Sequence, residues 1–250
     1  MSEYLHERQE RVRVGRPLCA ELPPRDSAAA AAALLQEYLT ARGLSGDIAL
    51  HNGWYVTWWT APDGQSVPRI VIPCTSLQEG NRFWQARAVT DDVLPRYDSP
   101  HNARGDALVV VNPSWPQTTG VAVVEGPMDA LAAAGAGYTG IALMGVTPSM
   151  EAKEHLRVRL HGRSAVFVAD SDAVHAMLNL MAYVIQAEEH QTTGGCPRKL
   201  VMVYPYKDLA EIPPGNREEF LSCDRNTRAH ETNVVRLRHA GAGAARDGGT

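Results

Sequence analysis

Between Gly120 and Tyr204 the chain alternates short apolar runs with segments of helical length, and few folds accept that rhythm. Gly120–Val124 is an apolar run closed at once by Glu125-Gly126-Pro127, with a helix expected from Met128 to about Ala134. Gly140–Met144 has the pattern of a strand, Ser149–Leu160 of a helix and Ala165–Ala169 of a strand. Ala173–Glu189 follows as a long helix and Leu200–Tyr204 as a further strand. Strands alternating with helices build βαβ units, whose sheet is mostly parallel and flanked by helices.

Upstream the rhythm differs. Asp26 or Ser27 is placed to cap a helix that runs to about Arg42, with Gly43 as its stop and Leu34, Leu35, Tyr38 and Leu39 as its buried stripe. Trp54–Thr60, Arg69–Ile72 and Arg82–Val89 are β-rich runs, and Asp63-Gly64 and Glu79-Gly80-Asn81 are turn signals between them. The expected organisation is an irregular lead-in over 1–25, a small α+β unit with an antiparallel meander over 26–118, an α/β domain over 119–224 and a flexible tail over 225–250.

Charge narrows the function classes. Lys and Arg total 24 against 28 Asp and Glu, a formal balance of −4, so bulk positive charge cannot hold the chain to nucleic acid or membrane. The longest apolar stretch, Ala28–Leu35, is too short to span a bilayer, and the charged start MSEYLHERQERVRV shows no export signal. Cys19, Cys74, Cys196 and Cys223 form no C-x-x-C pair. No zinc is expected, and the chain is expected to be cytoplasmic and reduced.

Ligands of open α/β sheets bind where strands end and helices begin. Glu125 follows the run VAVV, with Asp129 four positions on, inside the next helix; Asp170 and Asp172 follow AVFVA. Positions i and i+2 of an extended segment project to one side, which lets Asp170 and Asp172 face one site. Any one of these acids alone is explained by a helix N-terminus. As a set at one sheet edge they repel, and a hard cation such as Mg²⁺ relieves that repulsion while binding substrate phosphate oxygens.

The set resembles the signature of the TOPRIM domain, shared by bacterial-type primases, type IA and II topoisomerases and some nucleases. VAVVEGPMDALAAAGAGYTGIALMGVTPS is similar to the primase version, FVADSDA supplies the D-x-D, and VYPYKDLAE resembles the segment that follows, with Asp208 as the acid and Glu211 a weaker match. YLTARGL, RIVIP, WQAR and PRYDSP come in the order seen in the N-terminal half of the primase core. The resemblance covers about Tyr38 to Phe220 and implies a phage- or plasmid-type primase core that makes short RNA primers on single-stranded DNA.

On that resemblance Glu125, Asp170 and Asp172 are the catalytic acids, Glu125 as metal ligand or proton acceptor. Glu125, Asp129, Asp170, Asp172 and Asp208 form the Mg²⁺ (or Mn²⁺) set. Arg87 and Arg96, with Arg69 on the same surface, meet template or nucleotide phosphates, unless they only form a solvated strand face. Implied partners are single-stranded DNA, ribonucleoside triphosphates and a replicative helicase or separate zinc-ribbon protein, with no membrane. Two departures stand out. Ala173-Val174-His175 replaces the glycine primases place after D-x-D, with His175 expected to pack or touch a phosphate, and no zinc ribbon precedes the core. The competing readings are a TOPRIM nuclease and a non-catalytic replication accessory protein that binds DNA.

Other motifs carry less. Trp58 and Trp59 should lie on opposite strand faces, at least one of them in the core. Arg8, Arg11, Arg13 and Arg16 alternate with Glu7 and Glu10 as a solvated segment does, and His155, His161 and His190 form no ligand pair.

Overall fold

The computed structural model describes residues 22–26, 28–60, 66–77, 83–90, 93–100, 105–113, 120–145, 147–170, 172–189, 198–203 and 206–222. The N-terminal lead-in, the tail, both expected turn signals, and Cys19, Cys196 and Cys223 lie outside them. Cys74 carries a free thiol.

Helix α1 (Ala29–Thr40) buries Ala31, Leu35, Tyr38 and Leu39. It starts later than Asp26 or Ser27 would place it. Ala28 is the N-cap and no side chain caps it; the Asp26 carboxylate accepts the Ala28 N–H at 2.8 Å. An alanine run needs little help to begin a helix. The stop is as expected: Gly43 takes φ 64° and Leu44 N–H donates to Leu39 O at 2.9 Å. Helix α2 (Gly46–His51), capped by Ser45, follows. Strands β1 (Tyr55–Thr60), β2 (Ser66–Pro73), β3 (Trp84–Ala88) and β4 (Tyr97–Asp98) pair in that order, all antiparallel.

The second sheet has the order β5-β7-β6-β8-β9, from β5 (Val109–Val111), β6 (Val121–Val124), β7 (Thr139–Ala142), β8 (Ala165–Ala169) and β9 (Arg198–Met202). Only β5 runs antiparallel to its neighbour. Helix α3 (Pro127–Gly135) joins β6 to β7, α4 (Met150–Leu160) joins β7 to β8, and α5 (Val174–Glu189) leads toward β9. A 3-10 turn (Leu209–Glu211) and helix α6 (Pro214–Ser222) close the described chain. No described helix is long and apolar enough to cross a membrane.

Strand β6 is buried throughout, as a central parallel strand must be. Val121 and Val123 pack with α4 and α5 through Leu156, Leu160, Met181 and Val184. Ala122 and Val124 face a second core that runs into the N-terminal half through Leu131, Leu35, Trp54 and Ile70. A third small cluster, Tyr55, Val71, Trp84 and Ala86, covers the outer face of the antiparallel sheet. Trp59 packs there edge-on to Trp84, whereas Trp58 is 46% exposed and donates to Asp26.

Helix α6 is polar and buries only Arg217 and Leu221. Arg217 holds it in place: the guanidinium donates to Ile212 O (2.8 Å), Gly43 O (2.8 Å) and Ala210 O (2.7 Å), tying the end of the chain to the turn after α1. Arg217→Met should cost about 3 kcal/mol, because it strips three carbonyls of a buried charged donor. That corresponds to a melting temperature lower by about 6–12 °C. Thermal unfolding checks this, and a variant melting with the wild type would show that Leu221 alone holds the helix.

Candidate active site

Chain order reverses at β6: β7 lies on one side of it and β8 on the other. The crevice at the carboxyl ends of β6 and β8 is therefore the sheet's switch point. The register pairs Val123 with Phe167, so Glu125 and Asp170 leave the sheet side by side. Asp208 follows β9, the next strand over. Gly126 is the N-cap of α3, and space is its reason there. A Cβ on it would stand 3.1 Å from Asp129 Oδ2.

A cavity of about 530 Å³ opens at this point, between the sheet edge and the antiparallel half. One wall carries Glu125, Asp129, Asp170, Asp208 and Glu211; Arg42, Arg87, Arg96 and Lys207 supply the cations. Burial, together with repulsion from Glu125, Asp208 and Asp172, pushes the Asp170 carboxyl up to about 7, and only Lys207 pulls it back. Burial first, then repulsion from Asp208, Asp170 and Glu125, puts Asp129 also at about 7. Glu125 is raised by burial and by Asp172.

The acids differ in what they do locally. Asp129 is 7% exposed and its Oδ1 accepts the Ala210 N–H at 3.0 Å, which docks the turn bearing Lys207 and Asp208 onto α3. Asp208 Oδ1 caps that turn through the Glu211 N–H (3.0 Å), and Glu211 accepts the Lys207 N–H (3.0 Å). Among the described residues no three Asp, Glu, His or Cys side chains close into a preformed metal centre. A dry cage is thus not built. Mg²⁺ needs only one or two protein carboxylates beside waters and phosphate oxygens, and the uncompensated repulsion of Glu125, Asp170 and Asp208 fits that donor set.

Several sequence expectations change. Asp172 does not line the cavity: β8 ends at Ala169, the chain turns into α5, and side-chain alternation no longer applies. Asp172 is exposed and acts on Glu125 through charge. His175, expected to pack or touch a phosphate, is exposed and off the cavity wall. Arg69 and Arg87 are not on one surface, since β2 and β3 put them on opposite faces of the antiparallel sheet. Arg69 is 3% exposed and donates to Ala86 O (3.3 Å) and Pro95 O (3.0 Å), with Trp59 beneath it. Arg87 faces the cavity together with the exposed Arg96.

Arg42 and Lys207 are cavity cations that the sequence reading missed. Both stand inside quoted motifs, Arg42 in YLTARGL four positions after Tyr38 and Lys207 beside Asp208. Helical spacing from Tyr38 was the available signal. His155, by contrast, is a satisfied core residue. Its Nε2 accepts from Arg159 (3.1 Å) and its Nδ1 meets Asp106 O (2.6 Å).

No known family profile and no curated protein matches this sequence. Solved structures do. The zinc-binding and RNA polymerase domains of Aquifex aeolicus primase align with a TM-score of 0.53 and 13% identity, over 80% of this chain and 56% of that one. The E. coli primase catalytic core gives 0.51 and 17%, over 76% and 71%. A DnaG primase catalytic domain bound to single-stranded DNA gives 0.50 and 16%, over 74% and 68%. The chain has the mixed α/β fold of primase catalytic cores.

Proposed function

We propose that this protein is a TOPRIM-type, Mg²⁺-dependent nucleotidyltransferase that joins ribonucleotides on a single-stranded DNA template, as a primase does. The observation that carries this reading is one cavity at the sheet's switch point with an acidic wall and a basic one. Its volume of about 530 Å³ lies in the range of small-molecule sites. A hydrolase of DNA has less use for a basic wall built on a separate antiparallel unit.

In this reading Glu125, Asp170 and Asp208 hold Mg²⁺, which neutralises charge on the transferring phosphoryl group. Arg42, Arg87 and Arg96 bind the triphosphate, and Lys207 shields Asp170 from its acidic neighbours. Burial and the nearby Asp172 raise Glu125, making it the stronger base for the proton of an attacking 3′-hydroxyl. Pyrophosphate leaves along the basic wall.

The test is incorporation of labelled ribonucleotides on single-stranded DNA with Mg²⁺, scored also for DNA cleavage. Asp170→Ala should reduce incorporation at least about 100-fold while the fold is kept. Cleavage without synthesis would make the protein a nuclease. Neither activity, with DNA binding unchanged by the substitution, would leave a non-catalytic binder.

A further inference from the structure

One tyrosine on the buried face of α1 holds two of the cavity's cations. The Tyr38 ring stacks the Arg42 guanidinium, 3.8 Å from the ring centroid, and Arg42 also donates to Tyr38 O at 3.3 Å. The Tyr38 hydroxyl accepts Arg87 Nε–H at 2.5 Å. Arg87 is gripped again by the Tyr97 hydroxyl at 2.5 Å, with the Tyr97 ring 4.9 Å from its guanidinium. Arg87 is only 6% exposed, so a buried cation stands at the cavity wall with its rotamer fixed from two sides.

The chemistry of these grips matters. A carboxylate would fix a guanidinium as firmly and cancel its charge. A phenol fixes it and leaves the charge whole. Burial pushes the Tyr97 phenol up, so it is neutral where the protein works. Arg87 carries more N–H groups than its two bonds to tyrosine use, and the remainder are available on the cavity side.

We propose that Tyr38 is a positioning residue for polyphosphate binding: its ring sets Arg42 and its hydroxyl sets Arg87, so that the two guanidiniums meet successive phosphates of one nucleoside triphosphate. This rests on the nucleotidyltransferase reading above and adds to it the element that organises the basic wall. Tyr97 completes the grip on Arg87. Holding both side chains in advance removes ordering cost from binding.

Titration calorimetry with Mg·ATP, and with inorganic tripolyphosphate, tests it. Tyr38→Phe keeps the ring over Arg42 and loses only the acceptor for Arg87; it should bind both probes about 10-fold more weakly. Tyr38→Leu should lose about 50-fold or more. In an Arg87→Met background the Tyr38→Phe substitution should have no further effect, because its action runs through Arg87. Tyr38→Phe binding as wild type, or losing as much without Arg87 as with it, overturns the positioning role. Wild-type protein that binds neither probe overturns the triphosphate reading itself.

Discussion

Gly140→Ala is expected to lower the unfolding free energy by about 3 kcal/mol and Gly140→Val by about 5 kcal/mol. A Cβ on Gly140 would stand 2.1 Å from Ala130 O and 2.6 Å from Ala130 Cα. These are backbone atoms of α3, so no rotamer change relieves the overlap. Either the whole helix lifts from β7 or the strand is displaced. Helix α3 offers small buried residues, Ala130, Ala132, Ala133 and Ala134, which bring its backbone close to the sheet. Lifting it also moves Asp129 and the Glu125-Gly126 turn, so activity should fall with stability. Gly135→Ala is the internal control: nothing lies within 4 Å of its added Cβ, and it should be neutral or slightly stabilising. Urea unfolding of the three variants decides the matter. A Gly140→Ala protein as stable as wild type would mean that α3 is not held so closely.

This packing explains why so much of the second half was legible. Strands of four or five apolar residues bounded by a helix cap or a glycine carry their own signal, and β8 falls on its expected bounds, Ala165–Ala169. The acids were visible because each directly follows such a strand or opens the next helix. Asp172 was placed wrongly because alternation was carried past the strand's last residue. Arg69 and Arg87 were placed on one surface because the β2–β3 register, which the sequence does not display, decides their faces.

The elements that went unseen have little local signal. Helix α2 is six residues long and starts at a glycine, β5 is three residues and β4 two. β5 exists because β7 offers it an antiparallel edge, and it brings the chain before Gly120 into the second sheet. Helix α6 has almost no apolar face; it stands on one arginine whose partners are carbonyls far apart in sequence. The basic wall was hidden for a similar reason. Arg42, Arg87 and Arg96 converge through tertiary packing, and only the tyrosines between them show how the convergence is fixed.

Without divalent cation the protein should lose stability as pH rises from about 4 to about 7, and Asp129→Asn should remove most of that loss. The folded state holds the Asp129 carboxyl at about 7, against an ordinary value of 3.8, because burial and the charges of Asp208, Asp170 and Glu125 disfavour ionisation. Below 3.8 both folded and unfolded chains are protonated there, and Asp129 adds no pH dependence. Between the two values the unfolded chain releases its proton and the folded one keeps it, so the folded state binds more protons and stability falls with pH. Above about 7 the full penalty is in place, about 4 kcal/mol for the shift of this one buried group. Asparagine cannot ionise and still offers Oδ1 to the Ala210 N–H, so the tether between α3 and the Lys207–Glu211 turn survives. In EDTA at pH 8 the variant should melt about 5–10 °C above the wild type, and near pH 4 the two should coincide. Melting curves across that range give the answer directly. Parallel profiles would mean that the Asp129 carboxyl ionises in the folded state as easily as in the unfolded one. The acidic wall would then be relaxed rather than strained, and the argument that a cation relieves it would lose its physical basis.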